Sequence, residues 1–224
     1  MQPAFFITGT DTGVGKTVLT ALLAQFLRQR CVPVAALKPL CSGGRADALI
    51  LHAALAGDLT LDEINPWHFR AALAPAVAAQ LERKSVKLAA VLAHLRATRR
   101  KFAVTLVEGA GGLLSPLGEN FNSLDLIIAL RATPIVVAPN KLGAVNHILL
   151  TLAALPEPLR RRARVVLMLP AKPDAATAHN ARLLGNYFPP DQIFTLPWLG
   201  QYPSSAAALK IARVKRTLKA LCSG

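Results

Sequence analysis

Acidic side chains are in short supply. The chain of 224 residues has 12 Asp and Glu against 26 Lys and Arg, a formal net charge of +14. Any carboxylate next to a glycine-rich or strand-end motif is therefore worth a close look. Cysteine is rare as well. Cys31, Cys41 and Cys222 are odd in number and have no metal-ligand spacing. That excludes a disulfide framework and a zinc site, and the expectation is free thiols in a reducing cytosol. Aromatics make up 5% of residues, and none is interleaved with the basic clusters, which argues against a stacking platform for nucleic acid. No stretch approaches ~18 uninterrupted apolar residues, so no transmembrane helix is expected. The opening, MQPAFFITGTD, lacks a basic n-region and soon reaches a polar loop, so it does not read as a signal peptide. A cytoplasmic location follows as the expectation. No Ser/His/Asp arrangement, His/Cys metal cluster, internal repeat or low-complexity tract is visible.

What is present is mostly apolar. Hydrophobic residues make up 53% and charged residues 17%, which excludes disorder as the main state and suffices for one sizeable core. Residues 1–224 read as one domain, with no linker to divide them. Half of the cations fall in three stretches without an acid: Arg96 to Lys101, Arg160 to Arg164 and Lys210 to Lys219. The first two precede apolar runs, and cations there complement helix C-termini. Neither nucleic acid nor membrane is expected as a partner.

Along the chain, short apolar runs alternate with stretches of helical periodicity. Strands are expected at 4–7, 32–39, 102–112, 133–140, 163–170 and 192–198. Helices are expected at 17–30, 47–56, 86–100, following 141–147, at 174–187 and at 204–221. The apolar runs are continuous rather than alternating, as in strands buried on both faces. The fold class is therefore α/β: a single-domain P-loop fold, a mostly parallel sheet with helices on both faces.

Ligands of such a sheet lie beyond the C-terminal strand ends. The first end carries Gly9-Thr10-Asp11-Thr12-Gly13-Val14-Gly15-Lys16-Thr17. Glycines let the backbone curl so that N–H groups face a phosphate, and the next helix adds its positive end. Lys16 reaches the β/γ-phosphates, and the Thr17 hydroxyl is a Mg²⁺ ligand. The strict pattern has Gly where this chain has Thr10; its Gly is one residue earlier. Asp11 is expected to fix loop shape by accepting from backbone N–H groups. Glu108 closes a buried strand and needs a cation nearby, and Mg²⁺ would satisfy it. Asp47 is either a second Mg²⁺ ligand or a helix N-cap. Lys38, at the second strand end, aims a further ammonium at the same crevice; the alternative is a lysine extended to water. The run Lys141-Leu142-Gly143-Ala144-Val145-Asn146-His147 opens a helix whose free N–H groups suit a carboxylate.

GTDTGVGKT, LKPLCSGG, VEGAGG with SPL, KLGAVNH and LPWL, in this order and spacing, closely resemble the dethiobiotin synthetase family from about residue 4 to about residue 200. The resemblance implies ATP-dependent closure of a cyclic urea from 7,8-diaminopelargonic acid and CO₂ through a carbamate, with Mg²⁺ required, in a homodimer. It implies catalytic roles for Thr12, Lys16 and Lys38, and nucleotide contacts from Gly13, Val14, Gly15, Lys16, Thr17 and Pro197. Substrate contacts would come from Ser42, Gly109, Gly111, Leu142, Gly143 and Asn146, the last three from the partner subunit. Thr17, Asp47 and Glu108 would hold the metal. The chain departs from the family in two places. Leu169-Pro170-Ala171 stands where members often carry an adenine-reading Asn-Asp, and AALAPAVAA replaces a Ser-Pro-His segment. A switch ATPase of the chromosome-partitioning or septum-positioning kind is the alternative, with a related sheet and a basic surface. Such proteins carry a signature Lys early in the phosphate loop, where this chain has Asp11.

Overall fold

The computed structural model describes residues 2–200 and 205–223. Its centre is a six-stranded sheet in the order β10-β9-β8-β1-β5-β2, with every pairing parallel. The strands are β1 (Ala4–Gly9), β2 (Val34–Leu37), β5 (Val104–Gly112), β8 (Thr133–Pro139), β9 (Arg164–Met168) and β10 (Ile193–Leu196). The two-stranded β3 (Leu40–Ser42) and β4 (Trp67–Phe69) pair in parallel, and β6 (Pro116–Gly118) pairs antiparallel with β7 (Phe121–Asn122). All six residues of β1 are buried. Successive strand residues face opposite ways, so that burial means both sheet faces are covered.

The cover comes from helices. The first, α1 (Lys16–Arg28), packs on β1, β2 and β5 and against α2 (Ala46–Ala54). Two short helices follow, α3 (Leu61–Ile64) and α4 (Pro75–Leu81). Then α5 (Leu88–Arg99) and α6 (Ser123–Leu130) pack on each other and on the same three central strands between them. Past β8 come α7 (Ala144–Ala153), α8 (Glu157–Arg160) and α9 (Ala175–Leu184). The closing basic segment is two helices, α10 (Ser205–Ala208) and α11 (Ala212–Cys222), rather than one; the chain turns at Leu209–Ile211, and position 204 lies outside the described residues. No helix among the described residues is long and apolar enough to cross a membrane.

Three arginines of the first two basic clusters have structural tasks. Arg96 and Arg99, in the last turn of α5, donate to the carbonyls of Ala129 and Leu130 at the end of α6. Arg164 donates to Leu221 and Ser223 at the end of α11. Helix C-termini leave carbonyls without partners, and a guanidinium satisfies them while matching the dipole. The three cysteines are free thiols; burial pushes Cys41 and Cys222 each up to about 11.

Candidate functional site

β1 delivers the chain into the phosphate loop at Gly9. A Cβ there would lie 2.7 Å from Val14 Cγ2 and 2.9 Å from the Asp11 carbonyl, so only glycine allows the loop to close on itself. Gly13 and Gly15 have φ of 66° and 99°, a region that costs other residues strain. Gly15 is the N-cap of α1 and has no side-chain capping bond, so that helix opens with its N–H groups toward the loop. The Asp11 carboxylate accepts from the Thr12 N–H at 2.7 Å, so it shapes the loop as expected. Lys16, 6% exposed, donates to the Asp11 carbonyl at 2.7 Å. Its ammonium is pushed down to about 8, first by burial and next by the charge of Lys38.

Lys38 follows β2 and is 3% exposed. Its Nζ lies 2.6 Å from Glu108 Oε1, 2.8 Å from Asp47 Oδ2 and 3.1 Å from the Gly109 carbonyl. Burial opposes its charge, but Glu108 and then Asp47 hold it well above the usual lysine value. Asp47 is depressed in turn: burial works against the carboxylate, and Lys38 outweighs it, with help from Thr17. It occupies the first turn of α2, whose N-cap is Arg45, so the capping alternative does not hold. Lys38 is not extended to water either.

Glu108 is fully buried at the middle of β5, which runs on to Gly112 rather than ending there, and it sits beside Ile7 of β1. Its Oε1 also accepts from the Thr17 hydroxyl at 2.7 Å. Its Oε2 has no hydrogen-bond partner, and a buried acceptor left unpaired costs ~1–3 kcal/mol or more. Two carboxylates and a hydroxyl, one oxygen of them unpartnered, are hard donors of the type that Mg²⁺ takes, and that ion keeps waters and phosphate oxygens for its remaining positions. The residues present fit the ion.

The structure gathers most of the expected residues. Thr12, Gly13, Gly15, Lys16 and Thr17 line one cavity of about 470 Å³. Lys38, Ser42, Asp47, Glu108 and Gly111 line its other side. Ser42 donates to the Leu73 carbonyl. A second cavity of about 320 Å³ adjoins through Gly13, Gly15 and Val18 and is also lined by Val14 and Pro197. Gly109 lines neither, although its carbonyl accepts from Lys38; Leu142, Gly143 and Asn146 line neither as well, they are exposed, and Gly143 caps the start of α7.

Two residues matter here without having been marked for a role in the sequence. Asn65 is fully buried; its amide donates to the carbonyls of Lys38 at 2.7 Å and Trp67 at 3.3 Å, tying the chain just after β2 to β4. Arg45 donates to Asn65 Oδ1 at 3.2 Å and to the carbonyls of Leu61 and Asn65. Together they set where Lys38 and Asp47 leave the backbone. The signal in the sequence was Thr60-x-x-Glu63, a capping box that ends just before Asn65.

A protein-family model described as an AAA domain matches residues 3–206. An ATP-dependent dethiobiotin synthetase BioD of Akkermansia muciniphila is 42% identical over 153 residues, 68% of this chain and 72% of its own length. One of Anaeromyxobacter sp. strain Fw109-5 is 46% identical over 154 residues, 67% of this chain and 69% of its own. One of Anaeromyxobacter dehalogenans is 38% identical over 209 residues, 91% and 94%. Among solved structures, pNOB8 ParA bound to nonspecific DNA superposes with a TM-score of 0.60 at 14% identity, covering 99% of this chain and 97% of that one. A ParA family ATPase from Chlorobium tepidum superposes at 0.56 and 12%, over the full length of both. At those identities the likeness shows a shared fold and nothing more.

Proposed function

The chain belongs to the dethiobiotin synthetase family, and from that premise we propose that it is an ATP-dependent cyclo-ligase of biotin biosynthesis. It closes the ureido ring of dethiobiotin from 7,8-diaminopelargonic acid and CO₂. CO₂ adds to one amine, forming an N–C bond as the amine gives up a proton. A carbamate oxygen takes the γ-phosphoryl group and ADP leaves. The second amine attacks the carbonyl carbon and expels phosphate.

The protein's part is placement and charge rather than covalent chemistry. N–H groups of Gly13 to Thr17 and the start of α1 hold the phosphates. Lys16 and Lys38 both line one cavity. With the Thr12 hydroxyl, they stabilise charge as it passes between carbamate and γ-phosphate. Ser42, Gly109 and Gly111 border the diamine. Thr17, Asp47 and Glu108 would hold Mg²⁺, which when bound neutralises phosphate charge. Lys38 is the counter-ion of those two carboxylates, and its ammonium also serves the carbamate. Leu142, Gly143 and Asn146, exposed at the start of α7, would receive the substrate carboxylate in the site of a partner subunit of a homodimer. We read residues 1–224 as one domain, working in the cytoplasm.

The observation that carries this reading is the buried Lys38 ammonium held between Glu108 and Asp47 beside the phosphate loop. A phosphate-binding loop alone has no use for it. The test is incubation with diaminopelargonic acid, bicarbonate, Mg²⁺ and ATP. Dethiobiotin and diamine-dependent phosphate release are expected; the absence of both rejects the assignment.

A further inference from the structure

The edge of the sheet remote from the phosphate loop holds a cleft of about 690 Å³. It lies where α5 and α6 end beside the residue that leads into β1, and four arginines line it: Arg96, Arg99, Arg100 and Arg131. The fold assembles the four. In a parallel α/β sheet each helix ends where the next strand begins, and α5 and α6 lead into β5 and β8, the two neighbours of β1. Arg131, the C-cap of α6, belongs to none of the three basic stretches in the sequence, and here it joins the first of them. At ~3.3 Å per residue, the length of β1 sets the cleft roughly 20 Å from the phosphate loop.

Two of the four are anchored. Arg96 donates to the Ala129 carbonyl at 3.3 Å, and Arg99 donates to the carbonyls of Leu130 at 2.9 Å and Gln2 at 3.0 Å. The side chains of Arg100 and Arg131 are exposed and have no hydrogen-bond partner among the described residues. No Asp or Glu among the described residues lines the cleft, and none of the four arginines forms a salt bridge there. The two helix ends supply about half a negative charge each, which leaves about three positive charges uncompensated. A guanidinium keeps its charge and presents a rigid fork of donors that matches phosphate oxygens. One phosphate group carries about −1.5 to −2 at pH 7 and has three acceptor oxygens, enough to take forks from two arginines. Two phosphate groups match the surplus; one leaves part of it.

We propose that this cleft is a binding site for a compact anion bearing two phosphate groups, separate from the nucleotide and diamine site and independent of the ligase reading. Arg96 and Arg99 are held in place by the carbonyls they meet, so little is spent on ordering them. Arg100 and Arg131 supply donors that the protein itself leaves unused. The bound anion bridges the ends of α5 and α6, and it stabilises the folded chain in proportion to its occupancy. A free diphosphate and a sugar bisphosphate share this chemistry and differ in the spacing of their phosphates.

The test is calorimetric titration of the full chain at about 0.15 M salt, where charges more than about 8 Å apart are largely screened. The probes are inorganic pyrophosphate, with fused phosphates, and fructose 1,6-bisphosphate, with separated ones; the tighter of the two identifies the source. At least one should bind with Kd below about 100 µM. Lys16→Ala, which disables the phosphate loop, should keep that binding and is the parent for the variants that follow. Arg100→Gln/Arg131→Gln should weaken it about tenfold or more. Arg160→Gln/Arg162→Gln removes the same charge outside the cleft and should stay within about twofold of the parent. Arg100→Lys/Arg131→Lys keeps both charges but loses both forks, and should weaken binding about threefold or more. Thermal unfolding without probe should match the parent for both Arg100/Arg131 pairs, since neither side chain meets a carbonyl. Equal losses from the two glutamine pairs mean attraction to net charge alone and overturn the site. Binding that disappears with Lys16→Ala belongs to the phosphate loop and overturns it as well, as does the failure of both probes to bind.

Discussion

Replacing Lys38 with Met tests how its buried ion pairs hold the site together. The substitution keeps an unbranched side chain, one atom shorter, and deletes one charge. Glu108, 0% exposed, is left with the Thr17 hydroxyl as its remaining donor. Asp47 has a side chain 43% exposed and rehydrates, so it adds little. Removing one partner of a buried pair costs ~3–5 kcal/mol, because the other charge stays desolvated. For a chain of this size, ~2–4 °C of Tm per kcal/mol turns that into a fall of roughly 6–20 °C. The assay is thermal unfolding in EDTA and in Mg²⁺, for both proteins. Mg²⁺ should restore the variant by more than it raises the wild type, where the ion must first displace an ammonium from the same two carboxylates. Lys38→Met/Glu108→Gln should recover much of the lost stability in EDTA. A fall under about 2 °C, or a larger magnesium effect on the wild type, refutes the argument.

Other consequences are as specific. Lys16 sits at about 8 against 10.5 in an unfolded chain. The unfolded state therefore binds more protons between those values, and ligand-free stability rises with pH across that window as the buried charge is lost. ADP binding moves the other way: its Kd should climb above pH 8 by up to about tenfold per pH unit, and a flat calorimetric profile to pH 9.5 would contradict it. Gly9→Ala should abolish nucleotide binding while the protein still folds, since its Cβ meets Val14 and the Asp11 backbone; a cost of ~1–3 kcal/mol is expected from chemical denaturation. Asn65→Ala should lower stability by ~2–3 kcal/mol and reduce kcat with KM for ATP unchanged; a change confined to KM would count against its role in placing Lys38.

The parallel sheet was legible because strands covered on both faces are apolar almost throughout, and β1, β5 and β8 carry only Thr8, Thr105, Glu108 and Thr133 as polar side chains. The phosphate loop was legible because glycine is the sole residue that tolerates both its φ values and its close contacts. Helix α6 was not. Its eight residues directly follow β7, and its apolar run passes for strand; the Asn122-x-x-Asp125 capping box was the available signal. The break between α10 and α11 is likewise invisible in a continuous basic, amphipathic pattern. At the site, Glu108 stood out through scarcity, since a buried carboxylate demands a cation. That its cation in this state is Lys38 depends on a pairing across 70 residues of sequence, which no local pattern carries. Asn65 was obscured for the same reason: Lys38, just after β2, and Arg45, just before α2, are brought to it by the fold.

The central claim is that two lysines, one following β1 and the other following β2, act on one pair of anions. Labelled bicarbonate tests it most directly, by following carbon into dethiobiotin at saturating ATP and diamine in the wild type and in Lys38→Met. The wild type should incorporate one label for each phosphate released. The variant should bind ADP as tightly as the wild type and incorporate ~100-fold less or lower, the scale of losing one preorganised donor. Incorporation by the variant within about threefold of the wild type, or phosphate release by the wild type that ignores the diamine, would contradict the account.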